Sequence, residues 1–307
     1  MVQAALTAFP PDFRHDGRVA IDLRVPSAPR PAPPPTEIHD ARARQGDQDP
    51  AAFFARHGFT LLRHETAITD WDAPPPSRCP PGYLAELETL IRTRLLPGRR
   101  IEIPPVASLV RRGRDTTTPA YGTGVHQDCG RGGDDDQQRG FAFAGDQAAA
   151  WWRAGYDRAE VESYLLIDFW RTTNMDEPLR HMPLALCDPN SVDPADIVPT
   201  EIHGIAPDGR APHQMALRRN PEQRWYFYPG MTGDEVLAFD ELVEIVRGLV
   251  QVRDRLGELD HRDALREQKL RAGQHLVWIV TRLDDLESLL QLVDQRLDGR
   301  LEMQRSS

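Results

Sequence analysis

The chain has 307 residues, 40% hydrophobic and 27% charged, with a formal net charge of −10. That length buries a sizeable core in one large domain or two small ones. The acidic balance excludes nucleic acid or an anionic membrane surface as the main partner, because both demand a basic face. The three cysteines, Cys79, Cys129 and Cys187, are far apart and form no CxxC pair. They exclude a disulfide scaffold or a cysteine-type zinc site and fit a reducing compartment, so a cytoplasmic protein is expected. The first residues meet Pro10, Pro11 and charges early and do not read as a secretory leader. No run of roughly 18 apolar residues occurs, so no membrane span is expected. All basic residues but Lys269 are Arg, so arginine content alone marks no anion site.

In chain order, Val19 to Leu23 predicts one short strand within an otherwise mobile arm. Residues 25–36, VPSAPRPAPPPT, predict an extended, proline-rich spacer. Pro50 to His57 predicts a short helix, and Phe59-Thr60-Leu61-Leu62 a strand of apolar and β-branched residues. Leu84, Leu87, Leu90, Ile91 and Leu95 fall at helical spacing and predict a helix from Tyr83 to Leu95. Strand character returns over Ile101 to Val110. GRGGDDDQQRG at 130–140 predicts a polar loop. Ala148 to Tyr156 reads as helix and Glu162 to Trp170 as strand. Residues 174–213, dense in Pro, Asp and Asn, are expected to be mostly loop. Gln223 to Tyr228 predicts an aromatic strand. From Thr232 onward the chain lacks proline. Leu242, Ile245, Val246, Leu249, Leu256 and Leu259 follow one helix face. Leu283, Leu286, Leu290, Val293 and Leu297 step by three and four, so two long helices are expected there.

The sharpest local feature is Gly124-Val125-His126-Gln127-Asp128. On a strand, residues two apart point to one side, so His126 and Asp128 share a face. A neutral imidazole and a carboxylate together make two-thirds of the 2-His-1-carboxylate triad that holds Fe(II) and leaves three positions open. A His and an Asp two apart are also common as a solvated pair on an exposed strand. The motif alone does not choose between the two.

Other segments set the motif in context. Ile38-His39-Asp40-Ala41-Arg42 precedes Arg56-His57-Gly58-Phe59, and Arg111-Arg112-Gly113 precedes Val125-His126-Gln127-Asp128. Phe169-Trp170-Arg171 follows, then Met182-Pro183-Leu184-Ala185-Leu186-Cys187-Asp188, Ser191-Val192 and Asp196-Ile197-Val198-Pro199. Arg224-Trp225-Tyr226-Phe227-Tyr228-Pro229, Met231 and Asp234-Glu235-Val236 close the series. In order and spacing over residues 38–239, these segments resemble the CmcJ/NvfI/AsaB-like hydroxylase/desaturase family of non-haem iron oxygenases. The resemblance implies an α+β fold with a double-stranded β-helix (jelly-roll) core and flanking helices. It implies Fe(II) and 2-oxoglutarate as cofactors and hydroxylation or desaturation of a small molecule, often in secondary metabolism. His126 and Asp128 are carried over as iron ligands. Arg171 is the candidate catalytic residue, either ordering the pocket or meeting an anion; a structural arginine paired with a carboxylate is the competing reading.

After Phe239 the resemblance stops. The family continues to a second His and an Arg-containing final strand, and this chain instead reads FDELVEIVRGLVQVRDRLGELDHRDALREQKLRAGQHLVWIV. His261 is the candidate third metal ligand, with His275 behind it. The tail is a true replacement, or the ligand comes from elsewhere, or the reading frame has shifted after Phe239. The expected organisation is an arm and linker over 1–36, an oxygenase-like domain over 37–239 and a helical C-terminal segment over 240–307. The rival reading is a non-catalytic scaffold whose C-terminal helices bind a partner or form a homodimer. A nucleotide-binding transferase is set aside, because GRGGDDD follows no apolar strand and its three acids would repel phosphates.

Overall fold

The computed structural model describes residues 1–25, 32–71, 80, 82–99, 101, 124–127, 150, 154, 164–165, 167–180, 182–204, 209, 211–240 and 279–280. The strands are β1 (Val2–Ala4), β2 (Val19–Asp22), β3 (Thr36–Asp40), β4 (Phe59–Arg63), β5 (His126–Gln127), β6 (Tyr164–Leu165), β7 (Ile167–Trp170), β8 (Ala185–Cys187), β9 (Ile197–His203), β10 (His213–Leu217), β11 (Trp225–Phe227), β12 (Glu235–Asp240) and β13 (Ile279–Val280). The helices are α1 (Ala41–Gln45), α2 (Pro50–His57) and α3 (Tyr83–Leu90).

The sheets have strand orders β1-β3-β11-β8, β2-β9-β10-β5 and β4-β12-β7, with β13 paired to β6. Mixed sheets with few helices are compatible with a jelly-roll core. The central strand β12 buries Val236, Leu237 and Ala238 almost completely. Alternation sends Val236 and Ala238 to one face, where they pack with Leu62, Ile167 and the α3 residues Tyr83, Leu87 and Leu90. Leu237 goes to the other face and joins Phe59, Leu186, Tyr226 and Tyr228, so this sheet stacks on β3-β11-β8. Each such large apolar side chain contributes roughly 1.5–3 kcal/mol when fully buried.

Local chemistry sets the element ends. The Asp49 side chain accepts from the Ala52 amide at 2.9 Å and Pro50 opens α2, a start that needs no amide donor. Gly58 ends α2 with φ of 72°, a left-handed conformation that glycine tolerates, and turns the chain into β4. The expected helix over Tyr83 to Leu95 is α3 followed by a π-helical turn at Ile91–Leu95, closed by the Leu96 amide on the Ile91 carbonyl at 2.7 Å. The Gln45 side-chain amide acts as a neighbouring strand for β4: it donates to Leu61 O at 3.0 Å and accepts from Leu61 N at 2.9 Å. Tyr228 donates its hydroxyl to the same Gln45 oxygen.

Most described residues of 174–213 lie outside strands, as expected, but the stretch also holds β8, β9 and the start of β10. Their prolines sit where the ladder tolerates them. Pro189 and Pro194 open 3₁₀ turns capped by Asp188 and Asp193. The Ile202 amide donates across to Pro212 O on the β10 side. By alternation, the missing N–H of Pro199 faces β2, where pairing only begins at Thr200. The N-terminal stretch is likewise no loose arm, because β1 pairs with β3 and β2 runs parallel to β9. In the tail, the two described residues form strand β13, with Ile279 opposite Leu165, rather than helix. The rest of the expected helical segment over 240–307 lies outside the described residues, apart from Asp240, which ends β12.

Candidate metal site at the β5 strand

His126 lies on β5, the edge strand beside β10, with Ala216 directly opposite and Val198 opposite Ala216 on β9. Residues paired across antiparallel strands share a face, so the exposed His126 stands at the rim of a face whose next members, Ala216 and Val198, are buried. The His126 Nδ1 lies 2.8 Å from Gly124 O. A carbonyl oxygen only accepts, so Nδ1 carries a proton, and in the neutral ring the lone pair then lies on Nε2. An imidazole in that tautomer can ligate a metal through Nε2 while a backbone carbonyl holds its other nitrogen. The chemistry and orientation of this donor fit a divalent iron ligand. Among the described residues no group of three His, Cys, Asp or Glu could hold a metal. Asp128 and His261 lie outside the described residues, as do His275, Cys79 and Cys129.

Arg171 follows β7 on a different sheet. Its guanidinium donates to Gly233 O and His64 O and meets His64 Nδ1 at 3.2 Å. It also stacks over Trp71 and Tyr83, at 5.5 and 5.7 Å from the ring centroids. Because Arg171 must donate to Nδ1, the His64 proton sits on Nε2, 3.4 Å from a Glu86 oxygen. Burial, then the Arg171 cation, push the His64 imidazole below its ordinary value despite Glu86, so the ring is neutral at pH 7. Arg171 thus joins β7 to α3 through His64 and Glu86. The carboxylate of the structural-arginine reading is present, but one imidazole away.

The segments that carry the family resemblance meet one another. Arg42 forms a two-pronged pair with Glu235 at 2.8 and 2.7 Å and donates to Pro229 O at 2.7 Å. Burial would raise the Glu235 carboxyl, but the Arg42 hydrogen bonds, with the Thr232 amide, outweigh it and hold it below the usual carboxylate range. His57 and Asp188, both buried, lie 3.5 Å apart. Asn190 donates to Arg56 O at 2.7 Å, and the Arg224 amide donates to Ser191 Oγ at 2.8 Å. Burial pushes the Cys187 thiol well above its ordinary value. Neither the Gly124 carbonyl contact nor the His64–Glu86 link is legible in the residue pattern. The first is backbone, and the second joins residues that no motif spacing relates.

Comparison with solved structures shows which fold the chain shares. The iron and alpha-ketoglutarate-dependent endoperoxidase NvfI matches with a TM-score of 0.53 at 14% identity, over 92% of this chain and 90% of that one. A Trp-to-Phe variant of NvfI matches with a TM-score of 0.56 at 17% identity, over 80% of this chain and 86% of that one. A second NvfI conformation gives 0.55 at 17% identity, over 79% and 85%. The CmcJ/NvfI/AsaB-like resemblance read from the sequence therefore has its structural counterpart. Residues 27–242 match the family described as "Oxidoreductase/YMDC permease-like domain", and the chain belongs to that family. No curated protein matches it by sequence. Among the described residues, no helix is long and apolar enough to cross a membrane.

Proposed function

We propose that this chain is a non-haem Fe(II)- and 2-oxoglutarate-dependent oxygenase that hydroxylates or desaturates a small organic molecule, on a jelly-roll core, in secondary metabolism. The single observation that carries the reading is the His126 ring, fixed by Gly124 O in the tautomer that presents Nε2. The fold shared with the NvfI structures supports it. His126 and Asp128 hold the iron, and His261 is the third ligand. Fe(II) with 2-oxoglutarate and O₂ supplies the oxidising power for an unactivated C–H bond. The chain's own part is to hold the metal and orient the imidazole. Arg171 supports this from the scaffold, since its donors are largely taken by His64 and Gly233. Without the family's own distal segment, iron is held weakly and 2-oxoglutarate turnover is low.

Anaerobic Fe(II) titration tests the reading: the chain takes up iron, and His126→Ala and Asp128→Ala lose it. Equal uptake by all three overturns the assignment. Succinate formation under air then reads turnover. Little succinate is expected from the wild type, and a signal abolished by His261→Ala identifies the third ligand. Robust succinate that survives His261→Ala removes that residue from the site.

A further inference from the structure

The peptide unit joining Gly124 to Val125 is engaged at both ends. Its carbonyl oxygen is the acceptor for His126 Nδ1–H at 2.8 Å. Its N–H, on Val125, donates to Thr7 O at 2.8 Å. A peptide unit is planar and stiff, so fixing its N–H also fixes the direction of its C=O. Thr7 makes the matching bridge to Gly124.

The stretch that supplies Thr7 is itself anchored to the neighbouring strand. Phe9 N donates to Leu217 O at 2.9 Å, and Arg219 N donates to Phe9 O at 2.8 Å. The Arg219 guanidinium holds Leu6 O at 3.2 Å. Phe9 stacks on Phe13, with ring centroids 4.3 Å apart. Residues 6–9 therefore sit between the start of β5 and the end of β10. That is where a two-residue edge strand would otherwise have one short ladder to hold it.

We propose that residues 6–9 are a positioning strut for the His126 metal ligand. The strut acts through one peptide plane, from Thr7 C=O to Val125 N–H and from Gly124 C=O to His126 Nδ1–H. The inference rests on the reading of His126 as an iron ligand. It adds a segment remote in sequence, which no side-chain motif marks, to the determinants of metal affinity. Thr7 acts on that plane through its carbonyl, so its backbone geometry is what the strut requires. Hydrogen bonds of this outer kind are typically worth about 10- to 100-fold in metal affinity.

The test uses the full chain with two substitutions at one position. Thr7→Pro keeps the carbonyl but locks φ at that residue and restricts Leu6, which displaces the oxygen that Val125 N–H donates to, while Thr7→Ala leaves the backbone as it is. Thr7→Pro is expected to expose the Val125 amide to faster hydrogen exchange. It is also expected to weaken anaerobic Fe(II) binding by about tenfold or more and to shift the visible spectrum of the Co(II)-loaded chain. Thr7→Ala is expected to match the wild type in all three. A folded Thr7→Pro protein with wild-type Fe(II) affinity and a protected Val125 amide overturns the proposal. If Thr7→Pro does not fold, the unmodified chain decides. Nitrogen NMR of its histidines shows His126 protonated on Nδ1, with a slowly exchanging Val125 amide; an Nε2–H ring or an unprotected amide overturns the strut. An unmodified chain that takes up no Fe(II) refutes the iron reading, while the ring tautomer and amide exchange still judge the strut.

Discussion

Removing the Arg42 guanidinium tests whether the family segments act as scaffold. The Glu235 side chain is 6% exposed and receives both prongs of Arg42, whose own side chain is 35% exposed. Deleting one partner of a buried pair costs about 3–5 kcal/mol, because the other charge stays buried without compensation. Water can refill part of the half-exposed Arg42 site, so Arg42→Ala is expected to cost about 2–3 kcal/mol. For a domain of this size that is roughly 5–10 °C in Tm. Adding Glu235→Gln to Arg42→Ala should recover part of the loss, because it removes the stranded charge and leaves an amide that still accepts from Thr232 N–H. The Glu235 carboxyl is lowered in the folded state. Its stabilisation is therefore complete above the unfolded carboxyl's range and fades as pH falls through the folded value, and Glu235→Gln should flatten that acid limb. Thermal unfolding by circular dichroism, from pH 3 to pH 7, reads all of this. A shift below about 2 °C for Arg42→Ala at pH 7, with an unchanged acid limb for Glu235→Gln, refutes the reasoning.

Three further outcomes are expected. Tyr228→Phe removes the hydroxyl that donates to Gln45 and should cost about 1 kcal/mol in urea unfolding; an unchanged midpoint contradicts the link. Cys187, whose thiol burial pushes up, should resist alkylation at pH 8 until the protein unfolds, as read by peptide-resolved mass spectrometry; labelling as fast as that of free cysteine contradicts it. Leu290→Asp places a charge in the apolar stripe expected from 283 to 297 and should lower the melting temperature or the mass seen by light scattering. Both unchanged would contradict a buried stripe.

What could be read from the sequence depended on how local its physical cause was. α2 was legible because Asp49, Pro50, the Phe53–Phe54 pair and Gly58 specify start, face and stop within ten residues. β4 and β7 were legible from their apolar and β-branched runs, and β11 from its aromatics. β9 was not, because Pro199 and the flanking Asp-Pro turns read as loop. Only the register with β2 and β10 shows that the missing N–H falls where no ladder bond is required. β2 was legible at Val19 to Leu23, but β1 was missed for a related reason: it is short, and pairing with β3 holds it where propensity alone does not. At the candidate site, the shared side of a strand identified His126, but its tautomer depends on a backbone carbonyl that leaves no trace in composition.

The convergence of the family segments also separates what they say about fold from what they say about chemistry. Asp40 caps α1 and thereby sets Arg42 toward Glu235 and Pro229, so the first and last matching segments are one contact. His57 faces Asp188, the Asp188 amide donates to Arg224 O at 2.8 Å, and Tyr226 packs on Phe59, which knits the segments at 56–59, 187–191 and 224–228. The segments at 38–42, 56–59, 187–191, 224–229 and 234–236 find partners in one another, and none of these contacts involves His126. Their shared order is thus explained by a requirement to stack one sheet on the next, a requirement that a catalytic and a non-catalytic chain share equally. The chemical claim stands on the β5 strand alone: one imidazole, the peptide plane that aims it and the N-terminal stretch that fixes that plane. A substitution in the scaffold contacts should therefore lower stability and iron affinity together. One in the strut should lower iron affinity at nearly constant stability, and that difference is how the two roles are told apart.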